Sequence, residues 1–239
     1  MPSVAVFRHF PTEGPGYFAD FLDRHGIDWR LIAIDAGDAV PDSAADFSGL
    51  VFMGGPMSVN DDLPWIPRVL NLIRDAVAHD IPVLGHCLGG QLMSKALGGT
   101  VCRNAVKEIG WGEVNVADNA VARAWFGEVG SFQSFHWHGE TFTIPRGATH
   151  VLSSAHCVNQ AFALGKHLGM QCHVEMTEEM VKAWCIGGAD EIAVPGASVQ
   201  DAQAMQQNLA ARVAALNAVA DRLYAHWVRG LVSQPALAQ

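Results

Sequence analysis

The chain has 239 residues, half of them hydrophobic and 16% charged, with a mean hydropathy of +0.16, which is ample for a core and too apolar for disorder. A net charge of −9, with 15 scattered Lys and Arg, argues against a nucleic-acid partner. No apolar run approaches the ~18 residues that cross a bilayer, and the opening MPSVAVFRHF has no basic, leader-like start, so a membrane partner is not expected.

Val4 to Phe7 reads as a short buried strand, followed by a Pro- and Gly-punctuated loop from Arg8 to Gly16. Tyr17 to His25 is amphipathic, with Phe18, Phe21 and Leu22 on one side, and Gly26 ends it. Trp29 to Ile34 is a second strand. Pro41 to Ser48 is loop or short helix, and Leu50 to Met53 is a third strand running into Gly54-Gly55-Pro56. From Pro64 to His79, Trp65, Val69, Ile73, Ala76 and Val77 recur at helical spacing. Ile81 to His86 is a fourth strand, and a helix follows Cys87 to about Leu97. Short strands, apolar on both faces and alternating with helices, predict a mostly parallel sheet covered on both sides, with its sites at the carboxyl ends of the strands.

The second half changes character. Trp111 to Val116, Ser134 to Phe142, His150 to Ser154, Gln160 to Leu164 and Leu168 to Val174 read as strands and form an extra antiparallel patch. Two helices close the chain, about Thr177 to Ile186 and Val199 to Arg229, and Gln234 to Gln239 is expected to fray. Nothing in the composition marks a linker, so residues 1–239 are expected to form one α/β domain with the last helix packed on it.

Pro82 to Gln91, PVLGHCLGGQ, places a strand, a corner and a helix in immediate succession, with Cys87 at the corner. Small residues there permit strained backbone angles, and the helix N-terminus favours a thiolate. In HLGMQCHVE, His173 and Glu175 would share one strand face, so that Glu175 orients a ring whose other nitrogen meets the thiol. The backbone N–H groups of Leu88 and Gly55 are the expected donors to a developing oxyanion. The other cysteines (102, 157, 172 and 185) lack CxxC spacing and read as small core residues, with Cys172 opposite His173. Five reduced thiols fit a cytoplasmic compartment.

GGPMSVND, PVLGHCLGGQL and GMQCHVE together resemble the three signature segments of the class I, triad-type glutamine amidotransferases. The resemblance is nearest to the glutaminase domain of GMP synthase and its free-standing relatives, and HWHGETF, IPRGA and NQAFALG extend it over about residues 50 to 180. It implies a flavodoxin-like, glutamine amidotransferase-like fold. It also implies attack by Cys87 on a glutamine γ-amide to give a glutamyl thioester and ammonia, with His173 as acid and base. Gly55 and Leu88 match the oxyanion positions, Gln91 the glutamine pocket, and Trp137-His138-Gly139 the strand whose backbone holds the α-amino acid end. No cofactor or metal is implied. The family usually carries an aliphatic residue where His86 stands, His where Gly90 stands and Pro where Val174 stands. His86, beside the nucleophile, would bear on its pKa or access, and Gly90, which removes a bulky neighbour, on the pocket or its route to a partner.

Weaker patterns keep bland readings. His136 and His138 stand two apart without a nearby carboxylate in sequence, so a satisfied polar role, or substrate contact by His138, is favoured over a metal. The remaining histidines are expected to be structural or solvent-facing. Met205, Leu209, Val213, Leu216, Ala220, Leu223 and Trp227 form a heptad-like stripe that leaves a homodimer open, but packing back onto the sheet is the commoner use. Three functions remain from the sequence. The first is a glutaminase that passes ammonia to a separate synthetase subunit or acts alone. The second is a free-standing hydrolase of γ-glutamyl peptides or amines. The third is a binding module that lost turnover, against which the intact Cys87, His173 and Glu175 argue.

Overall fold

A computed structural model describes residues 2–231. Its first half alternates strand and helix: β1 (Val4–Arg8), α1 (Tyr17–Arg24), β2 (Trp29–Ala33), β3 (Gly49–Phe52), α2 (Trp65–Ala78), β4 (Val83–His86) and α3 (Leu88–Ala96). Next come β5 (Val101–Val116), α4 (Ala120–Phe126), β6 (Ser131–Phe142), β7 (Thr149–Ser154), β8 (Ala161–Leu164) and β9 (His167–Met170). The helices α5 (Glu178–Gly187), α6 (Ala202–Gln206) and α7 (Leu209–Val228) follow.

All nine strands lie in one sheet, in the order β2-β1-β3-β4-β9-β8-β7-β5-β6. Pairing is parallel from β2 to β9 and antiparallel from β9 to β6. The parallel half has the 2-1-3-4-5 order of a flavodoxin-like sheet, with β9 as the fifth strand. The antiparallel strands are therefore a continuation of that sheet, larger than a patch. β9 joins the two halves, which is why a residue just after it can stand beside one just after β4.

The strands bury both faces because side chains alternate. Val4 and Val6 of β1 pack in a cluster with Phe18, Phe21, Leu223 and Trp227, while Ala5 and Phe7 pack in a second one with Val69, Ile73 and Leu92. β3 divides the same way, Val51 to the first and Leu50 and Phe52 to the second. All seven residues of the C-terminal stripe are buried in the first cluster, so the stripe is spent on the chain's own core. No helix among the described residues is long and apolar enough to cross a membrane.

Several boundaries differ from the sequence reading. The strand expected from Trp111 begins ten residues earlier, at Val101. Helix α4 was unexpected, although Asn119 caps it through the Ala122 N–H. The helix expected from Val199 to Arg229 is broken: Gln207 is extended and Asn208 takes a left-handed φ of 54°. Asparagine tolerates that conformation, so the helical spacing survives a break that periodicity cannot see. The strand expected to reach Val174 ends at Met170. Residues Gln234 to Gln239 lie outside the described residues.

Three glycines seat α3 on the sheet. A Cβ at Gly89 would lie 2.0 Å from the Phe52 carbonyl oxygen, one at Gly90 2.2 Å from that of Met170, and one at Gly85 2.5 Å from the Gly89 carbonyl carbon. These obstacles are backbone atoms that cannot rotate away. Gly90→Ala should therefore lower unfolding free energy by about 1–3 kcal/mol through overpacking, read as a lower urea midpoint at unchanged slope. An unchanged midpoint would contradict this packing.

Candidate active site

Cys87 occupies the turn between β4 and α3 with φ 50° and ψ −106°. For a non-glycine residue this conformation costs of order 1–3 kcal/mol, and it survives because Gly85 and Gly89 let strand and helix close around it. The sequence Gly85-His86-Cys87-Leu88-Gly89 thus has the form of a nucleophile elbow with sulfur in place of oxygen. Leu88 is the first residue of α3, so its N–H is among the donors a helix leaves free. The Gly54-Gly55 loop follows β3 and runs alongside, with a Cβ at Gly55 falling 2.8 Å from Leu88 Cδ2. Larger side chains would push these two backbones apart.

His173 and Glu175 do meet, but not on a strand. Beyond β9, His173 keeps only an isolated bridge to Phe135, and its Nδ1 lies 2.6 Å from Glu175 Oε1. Both side chains are buried. Burial alone would lower the His173 pKa, but the Glu175 carboxylate and the Cys87 sulfur raise it well above the usual imidazole value. Burial would raise the Glu175 carboxyl, yet the His86 and His173 rings and hydrogen bonds hold it at about 2. The other ring nitrogen, His173 Nε2, is buried without a hydrogen-bond partner among the described residues. Trp184 stands edge-on to the ring at 4.8 Å.

Among the described residues, the cleft wall includes neither His86 nor Gly90. Strand alternation turns His86 away from the thiol. It is fully buried, its Nε2 3.3 Å from Tyr224 Oη and 3.7 Å from Glu175 Oε2. Gly90 is filled by the β9 backbone. Val174 also bears on the carboxylate: its N–H donates to Glu175 Oε2 at 2.9 Å, a bond that proline in this position cannot make. Two of the three departures therefore converge on Glu175.

The sequence reading missed Gln171. Its Nε2 donates to Cys87 Sγ at 3.4 Å, and its Oε1 accepts from Gln91 Nε2 at 3.1 Å. A polar residue in the apolar run ahead of His173 was the available signal. Gln91 thus reaches the sulfur through Gln171 while also lining the cleft.

The cleft above the sulfur has a volume of about 520 Å³ and includes Gln91, Trp137, His138 and Gly139 in its wall. Both ring nitrogens of His138 face acceptors, Nδ1 the Glu140 carbonyl at 2.9 Å and Nε2 the Glu108 carboxylate at 3.1 Å, which is the satisfied polar role of the two the sequence allowed. A carboxylate does therefore stand near His136 and His138, contrary to the sequence reading: one ligand-capable atom from each of these residues and Glu108 lies within 4.8 Å of the others. Gln160, just before β8, donates to Glu108 Oε2 at 2.7 Å, so this oxygen is engaged inside the chain and ties β5 and β6 to the start of β8. The cysteines are all free; Cys172 is buried as expected, with its thiol pushed up to about 12 by desolvation, while Cys102 is exposed and packs in no core.

A flavodoxin-ordered sheet with a cysteine elbow after β4 and a buried His–Glu pair after β9 defines a doubly wound α/β protein with a thiol site at its strand ends. Residues 21–183 match the family model described as glutamine amidotransferase class-I, and the chain belongs to that family. A solved glutamine amidotransferase from Methylobacillus flagellatus is 43% identical, superposes with a TM-score of 0.96, and covers 100% of this chain and 99% of its own. Glutamine amidotransferase-like protein YfeJ of Salmonella typhimurium is 30% identical over 77% of this chain and 80% of its own length. Gamma-glutamyl peptidase 3 of Arabidopsis thaliana is 29% identical over 70% and 71%. GMP synthase of Vibrio vulnificus is 30% identical over 74% of this chain but only 34% of its own.

Proposed function

We infer that the protein hydrolyses γ-glutamyl amides through a glutamyl thioester on Cys87, with the γ-amide of glutamine as the simplest substrate. The observation that carries this reading is the buried His173–Glu175 pair, 2.6 Å apart, with the Cys87 sulfur among the influences on the His173 ring and the thiol held in a strained corner. Cys87 sulfur attacks the γ-carbonyl carbon, and the oxygen gathers negative charge within reach of the Gly55 and Leu88 N–H groups. His173 passes a proton to the departing nitrogen, the C–N bond breaks, and ammonia or an amine leaves. Water then attacks the thioester, giving its proton to His173, and releases glutamate and the thiol. Glu175 keeps the ring in the required tautomer and stabilises its protonated form. Gln91 and the backbone of Trp137, His138 and Gly139 hold the α-amino acid end.

With glutamine as substrate, ammonia either passes to a separate synthetase subunit or is released. The similarity to part of GMP synthase supports the first route. A second reading, hydrolysis of γ-glutamyl compounds with larger leaving groups, is favoured by the cleft, which continues past the thiol to Glu13, Trp184 and Gly188. Ammonia release from glutamine, measured beside amine release from γ-glutamyl amides and dipeptides, separates the two. Faster turnover of glutamine supports the first; a preference of tenfold or more for substituted amides, on the order of 1.4 kcal/mol, supports the second. No turnover and no Cys87 adduct with any of them contradicts both.

A further inference from the structure

Glu13 stands in the loop between β1 and α1, and the wall of the cleft includes its side chain. That loop ends at Tyr17, whose N–H donates to the Glu175 carbonyl at 2.8 Å, so it is tied to the His–Glu pair. A Cβ built on Gly54 would lie 2.0 Å from Glu13 Oε2 and 3.2 Å from His173 Cε1, which places the Glu13 carboxyl beside the His173 ring and over the glycine loop. The cleft includes two other carboxylates, and both are engaged. Glu191 pairs with Lys107 at 2.6 Å and accepts from Trp137 Nε1 at 3.1 Å, and Glu140 accepts from Ser58 Oγ at 3.1 Å. Glu13 accepts no hydrogen bond from any described residue. Among the described residues, the cleft wall includes no Lys or Arg.

A leaving nitrogen must depart on the side of the ring that protonates it. The cleft wall includes Glu13 together with Thr12, Trp184 and Gly188, and Glu13 is the carboxyl that stands beside the His173 ring. We propose that Glu13 selects the leaving group, and that the substrates suited to this cleft are γ-glutamyl amides of amines carrying a second, positively charged nitrogen. This rests on the γ-glutamyl hydrolase reading above and narrows it. An unpaired carboxylate in a cleft whose described wall includes no Lys or Arg attracts an ammonium and repels the carboxylate of a γ-glutamyl peptide. Trp184 and Trp137 in the cleft wall supply apolar surface for the alkyl chain.

Burial raises the Glu13 carboxyl to about 7, against the lowering influence of His173 and with the further raising influence of Glu175. The titratable and charged groups around it are His9 on the same stretch of chain, Cys87 at the corner, His173 and Glu175 after β9, and the Glu191–Lys107 pair across the cleft. Charge selection should therefore strengthen as pH rises through about 7.

The test uses the full chain and γ-glutamyl amides of n-butylamine, putrescine and γ-aminobutyrate, matched in length, with glutamine alongside. The putrescine amide is expected to exceed the butyl amide in kcat/KM by roughly tenfold, as a charge-assisted contact implies, and the γ-aminobutyrate amide to be the poorest. Glu13→Gln should bring the putrescine-to-butyl ratio near one and remove its pH dependence, and Glu13→Asp should restore part of it. Turnover of the series by the wild-type protein without this ranking overturns the role of Glu13 alone, whether or not the variants fold. No turnover of any member, glutamine included, overturns the underlying reading and this role with it.

Discussion

Cys87→Ala should lower kcat for γ-glutamyl hydrolysis by roughly 10⁵–10⁶-fold, the scale on which removing a covalent nucleophile acts. The substitution takes away only sulfur from a residue that is 6% exposed at the floor of the cleft, so the fold should survive. The backbone corner, the Gly55 and Leu88 N–H groups and the His173–Glu175 pair all remain. Water could still be activated by His173, but it would attack without the covalent stage that divides one difficult step into two. A variant retaining a few per cent of wild-type kcat would mean that Cys87 is not the nucleophile. His173 should also titrate lower in this variant, since the Cys87 sulfur is one of the influences raising its pKa. NMR titration of the ring checks that shift independently of turnover.

Glu175→Gln carries the second large effect. Glutamine keeps the shape but removes the charge facing His173 Nδ1, so the imidazolium loses its partner and the ring its fixed tautomer. A loss in kcat of roughly 10³–10⁴-fold is expected, as for a triad carboxylate changed to its amide. Stability should change as well. The Glu175 pKa in the folded chain is about 2, below its ordinary value of 4.5. Its stabilising contribution is therefore complete above the unfolded value and is lost as pH falls through about 2. In the variant, unfolding free energy near neutral pH should fall by about 3–5 kcal/mol, the cost of breaking a buried ionic pair. The decline of stability between about pH 4.5 and 2 should flatten accordingly. Urea unfolding across that range reads both. An unaltered profile would show that Glu175 is not held ionised by His173 and His86.

What could be read in advance followed from local pattern. The elbow was legible because an apolar run, a Gly-rich corner and a helical period stand together around Cys87. His173 and Glu175 were legible as a pair, yet the strand proposed to align them stops at Met170, and a bridge to Phe135 and the Val174 N–H hold them instead. Periodicity gives the spacing of such a pair but not its support. His86 shows a different limit. Adjacency to Cys87 suggested influence on the thiol, but strand alternation sends its ring to the Glu175 side of the sheet. Glu13 gave no signal at all, being a single acid in a Pro- and Gly-rich loop. Its position depends on β1 lying next to β3, and that is a property of sheet order. Glu108 escaped notice for a similar reason: it meets His138 only across the β5–β6 pairing, some thirty residues away in the chain.

The proposed reaction turns on a γ-glutamyl thioester at Cys87. The most direct measurement is intact-mass and peptide mass spectrometry of the full chain, mixed with a γ-glutamyl amide and quenched in acid during turnover. A mass increase of one glutamyl group, mapped to the peptide containing Cys87 and absent from Cys87→Ala, is the predicted result. Turnover by the wild-type protein with no glutamyl adduct on Cys87 at any quench time would contradict it.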